Sequence, residues 1–191
     1  TLAADVESYF HTRRPPNWRN EEGKPPERLV YLLDHEYTQR SLGWNRLKGQ
    51  DAARVAALRQ VAEGLDCGIL LALADVHEIW QCEEDDWDRY RDDDADDDTA
   101  HELVDLVDYD IGLSHCLGSE VGRAQIAQGI GQDEVCWTTE SDDLQPYAYE
   151  YEGYMGNYGN TVDRWYHRAA VVLWPQAHSF ALQARQSAHW A

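Results

Sequence analysis

The sequence has 191 residues, of which 16 are Lys or Arg and 36 are Asp or Glu, giving a formal net charge of −20 at pH 7. A field of that sign repels phosphate backbones and anionic lipids, so we expect no nucleic-acid and no membrane partner. Its four cysteines are too scattered for a disulfide-stapled secreted domain, and no apolar run reaches the roughly 18–20 residues that span a bilayer. We therefore expect a cytoplasmic protein with reduced thiols.

The first half of the chain predicts a loop, a strand and a helix. Residues 1–27 form a Pro-rich N-terminal segment, because four prolines between 11 and 28 exclude a continuous helix or central strand there. The apolar run at 28–37 predicts a buried strand. Residues 41–65 carry apolar side chains at three- and four-residue spacing and predict a helix, with Asp51 as N-cap and Gly64 closing the C-terminus.

The second half predicts mainly strands. Residues 67–81 are apolar and then alternating, which indicates a central strand with Asp75, His77 and Gln81 on one face. Alternation at 101–115 and a short run at 133–141 predict two more strands, and 164–175 is a last strand that Pro175 stops.

These elements predict an α+β fold with a mixed, mostly antiparallel sheet, one main amphipathic helix and long irregular loops. The α+β domain spans 28–175, and a C-terminal helix follows at 176–191. An acidic insertion at 83–98 contains eleven carboxylates. We expect it to be a solvated, self-repelling segment, since the spacing of an EF-hand calcium loop is absent.

Catalytic motifs are missing from the sequence. It contains no phosphate-binding G-x-x-x-x-G-K-[ST], no H-E-x-x-H and no G-x-S-x-G. No histidine is followed two positions later by Asp or Glu. The H-x-D motif that supplies part of a facial iron triad is therefore absent from this sequence. A metal site gathered from His77, Cys82 and Cys116 remains an alternative to ordinary core and strand roles for these residues.

Residues 150–175, EYEGYMGNYGNTVDRWYHRAAVVLWP, combine Gly and Asn turn formers with aromatics before an apolar strand. The glycines Gly153, Gly156 and Gly159, with Asn157 and Asn160, suit positive-φ turns. The strand is expected to bury either the face of Ala170, Val172 and Trp174 or that of Val171 and Leu173. His167 is interpreted as a sheet histidine bonded to a carboxylate such as Asp163, or as a ligand contact. The candidate binding residues are His167, Arg168, His77 and Glu78.

This segment resembles the C-terminal region of prolyl-4-hydroxylase-like 2-oxoglutarate/Fe(II)-dependent oxygenase proteins. Residues 29–58 and 71–80 (LALADVHEIW) are similar to the same region, so the resemblance covers most of 28–175. It implies that the iron and 2-oxoglutarate ligands lie upstream, in a catalytic barrel. We therefore expect no cofactor in this chain, and Fe(II) and 2-oxoglutarate only in a longer parent protein, of which a chain beginning at Thr1 would be a piece.

Three functions follow from these observations. The chain is a noncatalytic accessory domain of such an oxygenase, packing on the barrel of the same protein. Alternatively, it is an acidic interaction module that holds a basic protein partner. In a third hypothesis it is itself an enzyme, with His77, Glu78, His167 and Arg168 converging in a pocket.

Overall fold

The computed structural model describes residues 1–16, 22–83, 102–118, 130–136, 145–153 and 160–178. Within these ranges the chain forms helices and strands that together make a mixed α/β structure. The helices are α1 (Leu2–His11) and α2 (Gly49–Gly64), and the strands are β1 (Leu29–Leu32), β2 (Cys67–Cys82), β3 (Leu103–Gly118), β4 (Val135–Cys136), β5 (Ala148–Glu152) and β6 (Thr161–Pro175). No helix in these ranges is long and apolar enough to cross a membrane.

The strands join in one sheet in the order β3-β2-β6-β1-β4, and β5 also pairs with β6. Strands β1 and β5 each run antiparallel to β6, whereas β1 and β4 are parallel. The predicted mixed, mostly antiparallel sheet is confirmed. Its middle strand is β6, however, and not β2, which lies between β3 and β6.

The chain divides into two compact units, each made of separate stretches of sequence. The first unit comprises Thr1–Asp75, Ile111–Leu144 and His167–Ala191, and the second comprises Val76–Asp110 and Gln145–Tyr166. The boundaries fall within β2, β3 and β6, so each of these long strands contributes one part to each unit.

Helix α1 was not predicted. Residues 1–27 were expected to form a Pro-rich segment, and the one main helix was expected at residues 41–65. Thr1 caps α1 by accepting a hydrogen bond from the Ala4 backbone N–H at 3.4 Å. Val6 and Phe10, four residues apart, are buried in the core of the first unit. The prolines begin only at Pro15, so they do not interrupt this helix.

Helix α2 begins at Gly49, eight residues later than the predicted start at 41. Residues before it form turns, among them one in which the Thr38 N–H donates to Ser41 Oγ at 2.8 Å. Lys48 occupies the N-cap position without a side-chain cap, so the prediction that Asp51 caps the helix is wrong. The helix ends at Gly64, as predicted, although the left-handed residue beyond it is Asp66, with φ +50°.

The core of the first unit is formed by α1, one side of α2, and parts of β1, β2 and β6. Its buried side chains are Val6, Phe10, Leu29, Leu33, Tyr37, Leu42, Val55, Leu58, Val61, Ala62, Leu71, Ala169, Val171 and Leu173. Strand β6 is buried on both faces from Arg168 to Trp174, and so the expectation of a single buried face is wrong. Ala169, Val171 and Leu173 belong to this core, whereas Ala170, Val172 and Trp174 are buried on the opposite face of the strand.

Gly68 and Trp174 make a close contact in this unit. A Cβ atom at Gly68 would lie 2.2 Å from the ring atoms of Trp174, closer than any real side-chain contact. Trp174 is 2% exposed. The indole therefore occupies the space that a side chain at position 68 would need.

Arg28, just before β1, and Glu134, just before β4, form a buried ion pair. Arg28 donates from Nη2 to Oε2 of Glu134 at 2.6 Å and from Nε to Oε1 at 3.1 Å. The carboxylate also accepts the backbone N–H groups of Arg28 at 3.2 Å and Gly131 at 2.9 Å. The ion pair thus holds the N-terminal ends of the parallel strands β1 and β4 beside each other.

The second unit consists of strands in its described residues. It contains the C-terminal part of β2, the N-terminal parts of β3 and β6, and β5, which was not predicted. The acidic insertion, from residue 84 on, lies outside the described residues. So do Gly156, Gly159 and Asn157, and most of the predicted C-terminal helix, of which only a 3₁₀ turn at Gln176–His178 is described. Gly153 does not have the expected positive φ.

Candidate functional site

His77 and Glu78 are neighbours on β2, and their side chains therefore lie on opposite faces of the strand. In the second unit, His77 Nε2 lies 2.5 Å from Asp163 Oδ1, and the imidazole stacks on the indole of Trp165. Glu78 is 1% exposed and accepts a hydrogen bond from Trp80 Nε1 at 2.7 Å. The two predicted site residues thus have separate environments, one partly open and one buried.

His167 and Arg168 are likewise neighbours on β6, in the first unit. His167 is exposed, and its Nδ1 lies 2.7 Å from Asp75 Oδ1. Arg168 is buried and donates from Nε to the Leu33 carbonyl at 2.9 Å, with Nη2 3.9 Å from Asp34 Oδ1. Arg168 therefore joins β6 to the end of β1.

His167 bonds a carboxylate, as predicted, but the carboxylate belongs to Asp75 and not to Asp163. Asp163 pairs with His77, and His167 pairs with Asp75. Residues 163 and 167 share one strand and are separated by four residues, about 13 Å at ~3.3 Å per residue, which is too far for a hydrogen bond. Both histidines instead bond a carboxylate of the neighbouring strand.

The structure does not bring the four predicted site residues into one pocket. The members of each neighbouring pair point to opposite faces of their strand, and Glu78 and Arg168 are buried. The two histidines each present an imidazole that is already hydrogen-bonded to aspartate. These residues remain candidates for binding, but their geometry does not assemble an acid–base site.

The sequence also suggested a metal site formed by His77, Cys82 and Cys116. His77 and Cys82 are five residues apart on β2, an odd spacing that puts them on opposite faces. The described ranges contain no group of three His, Cys, Asp or Glu side chains that could hold a metal ion. The His77–Asp163 and His167–Asp75 pairs supply two donors each and do not fit the three-ligand triad of a non-haem iron centre.

A polar cluster around Asp51 was not recognised as such in the sequence. Asp51 is 0% exposed, and its carboxylate accepts from His35 Nδ1 and from the Tyr37 hydroxyl, each at 2.9 Å. It also accepts the backbone N–H groups of Asp34 and His35 at 3.1 and 3.2 Å. Burial raises the pKa of Tyr37 to about 12, and the Asp51 hydrogen bond adds to this rise. The cluster fixes the loop before α2, a structural role that explains why Asp51 does not cap the helix.

A groove in the second unit was not predicted either. It has a volume of about 380 Å³ and is lined by Tyr147, Ala148, Tyr149, Glu150 and Trp165. Ala148 lies opposite Trp165 in the β5–β6 register, so the smallest side chain of β5 faces the largest of β6. The sequence signal was the alternation of tyrosine and glutamate in AYEYE at 148–152.

The second unit also carries most of the exposed apolar surface of the described residues. Large hydrophobic side chains that are more than a third exposed are Val104, Leu106, Val107, Tyr147 and Tyr149 in this unit, and Leu2 in the first. On one face of β3, Val104 and Leu106 are followed by the exposed Asp108 and Asp110, and on the other Val107 lies next to the exposed Asp105. The second unit thus presents a mixed apolar and acidic surface.

We compared the chain with protein-family models, with curated proteins and with solved structures, and none of them matches it.

Proposed function

We propose that the chain is a noncatalytic companion domain of a prolyl-4-hydroxylase-like 2-oxoglutarate/Fe(II) oxygenase. The observation that carries the proposal is the likeness of residues 150–175 to a segment that follows the barrel in those proteins. This segment supplies β6, which is bonded to β2, β1 and β5. Its charged Arg168 is engaged in contacts within the fold. These contacts are internal to the fold, and they are compatible with a role of the segment as scaffold.

Fe(II) and 2-oxoglutarate belong, in this proposal, to a barrel encoded upstream of Thr1. The test is to read the encoded sequence upstream for an H-x-D and a distal histidine, and then to measure consumption of 2-oxoglutarate with Fe(II). A longer protein that includes this region should consume the cosubstrate, whereas the 191-residue chain should not. A native protein without a barrel upstream would refute the proposal.

A second candidate function is an acidic interaction module that holds a basic protein. The mixed surface of β3 favours it, because apolar contacts supply contact area while the aspartates select a cationic partner. The test is capture of partners at low and moderately high salt, since screening weakens attraction between exposed charges. A partner held by this surface should be lost at higher salt and on V104S/L106S substitution, which alters one face of β3, and retained by the Leu2→Ser control. Capture that is insensitive to both would refute this candidate.

A further inference from the structure

The groove of the second unit combines aromatic side chains with one carboxylate. Three of its five lining residues are aromatic (Tyr147, Tyr149 and Trp165), and Glu150 supplies the negative charge. Tyr147 is 52% and Tyr149 38% exposed, and by the alternation of β5 both point to the face opposite Trp165, whereas Ala148 and Glu150 share the face of Trp165. Aromatic rings beside a carboxylate attract ammonium and guanidinium groups, through the ring quadrupole and through charge.

Trp165 is held in place from one side. Its ring lies parallel to the imidazole of His77, with the centroids 4.6 Å apart and the planes 1° apart, and His77 is itself fixed by Asp163. On β5 the register partner of Trp165 is Ala148, whose side chain is a single methyl group. A bulky residue at position 148 would fill this space, so the groove depends on the pairing of a small with a large side chain.

The charge around the groove is negative. Glu150 lines it, Glu152 follows on the same face of β5, and the chain as a whole carries −20. Arg164 precedes Trp165 and therefore points to the other side of β6, where its guanidinium lies 5.5 Å from the ring centroid of Tyr166. Its charge is thus directed away from Trp165 and toward the face of Tyr149, its partner in the β5–β6 register.

We propose that this groove binds an arginine or lysine side chain from an extended segment of a partner protein. The cationic group lies against Trp165, with Glu150, on the same face of the β5–β6 pair, as its counter-ion. This site does not depend on the oxygenase proposal. It gives the proposed interaction module a defined contact with a basic partner.

The test uses the 191-residue chain and a short synthetic peptide in which arginine alternates with valine. Binding is measured by calorimetry, with the same peptide carrying citrulline in place of arginine as the neutral probe. We expect Glu150→Gln to weaken binding about fivefold, as is typical for the loss of a cation contact at an exposed site. Glu152→Gln is the matched control, because it removes the same charge from the same strand but does not line the groove. It should change affinity by less than about twofold.

Ala148→Leu provides an independent variant, since it fills the groove and leaves every charge in place. It should abolish arginine-dependent binding while the urea unfolding midpoint stays near that of the wild type. Equal weakening by the two glutamate substitutions, equal affinity for the citrulline peptide, or undiminished binding to Ala148→Leu would each overturn the proposal. None of these outcomes bears on salt-sensitive capture by the β3 surface. The groove proposal and the interaction-module proposal can therefore be refuted independently.

Discussion

Arg28 and Glu134 are 106 residues apart in sequence and meet side-on, with two nitrogens of the guanidinium bonded to the two oxygens of the carboxylate. Their side chains are only 7% and 9% exposed. Each charge has therefore lost most of its hydration, and the partner replaces it. Such a pair is costly to break from one side, since the remaining charge stays buried without compensation.

Glu134→Gln should lower the free energy of unfolding by about 3 kcal/mol, because Arg28 would remain buried beside a neutral amide. Urea denaturation followed by circular dichroism measures this loss. Glu22→Gln is the control: Glu22 pairs with Lys24 at 2.5 Å, but both side chains are more than half exposed, so no measurable change is expected. Similar midpoints for the two variants would contradict the assigned role of the buried pair.

Gly68→Ala should destabilise the protein strongly, by at least about 2 kcal/mol, because the new methyl group meets the ring of Trp174. Gly64→Ala is the comparison. Gly64 is the last residue of α2 and has no heavy atom within 4 Å of an added Cβ, so alanine is tolerated there. Thermal unfolding midpoints separate the two cases, and a Gly68→Ala midpoint at or above that of Gly64→Ala would refute the close contact.

The alkaline stability of the protein should depend on Tyr37, whose pKa burial raises from 10.0 to about 12. Between pH 10 and 12 the unfolded state loses this proton while the folded state keeps it, so the free energy of unfolding falls as the pH rises. The stabilisation is fully present below pH 10. Over this interval it amounts to up to about 3 kcal/mol, at ~1.36 kcal/mol for each of the two pKa units.

Tyr37→Phe removes the titrating group, and urea denaturation at several pH values above 10 provides the measurement. The variant starts from a lower stability, because the hydroxyl bonds to Asp51 and to the Lys48 N–H at 2.9 and 2.8 Å are lost. Its stability should nevertheless decline less steeply than that of the wild type. Parallel declines in the two proteins would exclude Tyr37 as a source of the pH dependence.

Thiol reactivity should be low in the folded protein. Burial raises the pKa of Cys67, Cys82 and Cys136, so the nucleophilic thiolate is scarce near neutral pH. Alkylation by iodoacetamide, followed by mass spectrometry, should be slower at pH 8 than in urea-unfolded protein. Its rate should also continue to rise above about pH 9, where the unfolded thiols are already largely ionised. Alkylation as fast as in the unfolded chain would contradict this prediction.

The long strands were predictable because their signals are local. The apolar run of β6 and the alternation in β2 and β3 extend over many residues, and each was assigned as a strand from the sequence alone. In contrast, α1 has only two buried residues, Val6 and Phe10, and β5, which has no buried residue, alternates tyrosine with glutamate. Short elements with so few buried residues give a pattern too weak to assign.

The partners of the histidines were not predictable in the same way. Alternation indicates which face of a strand a residue occupies, and it correctly grouped Asp75 with His77 on β2. Which residue of β6 lies beside each of them depends on strand register, a tertiary property that no local pattern contains. The groove beside Trp165 depends on the register of β5 in the same way, since it exists only where Ala148 is the neighbour.

The contact between Gly68 and Trp174 has a consequence for how this protein can change in evolution. A substitution that enlarges residue 68 is excluded while the indole is present, and a smaller residue at 174 leaves a cavity while residue 68 is glycine. The two positions can therefore vary only together. In an alignment of relatives, they should appear as a covarying pair, and alanine at 68 should accompany a smaller side chain at 174.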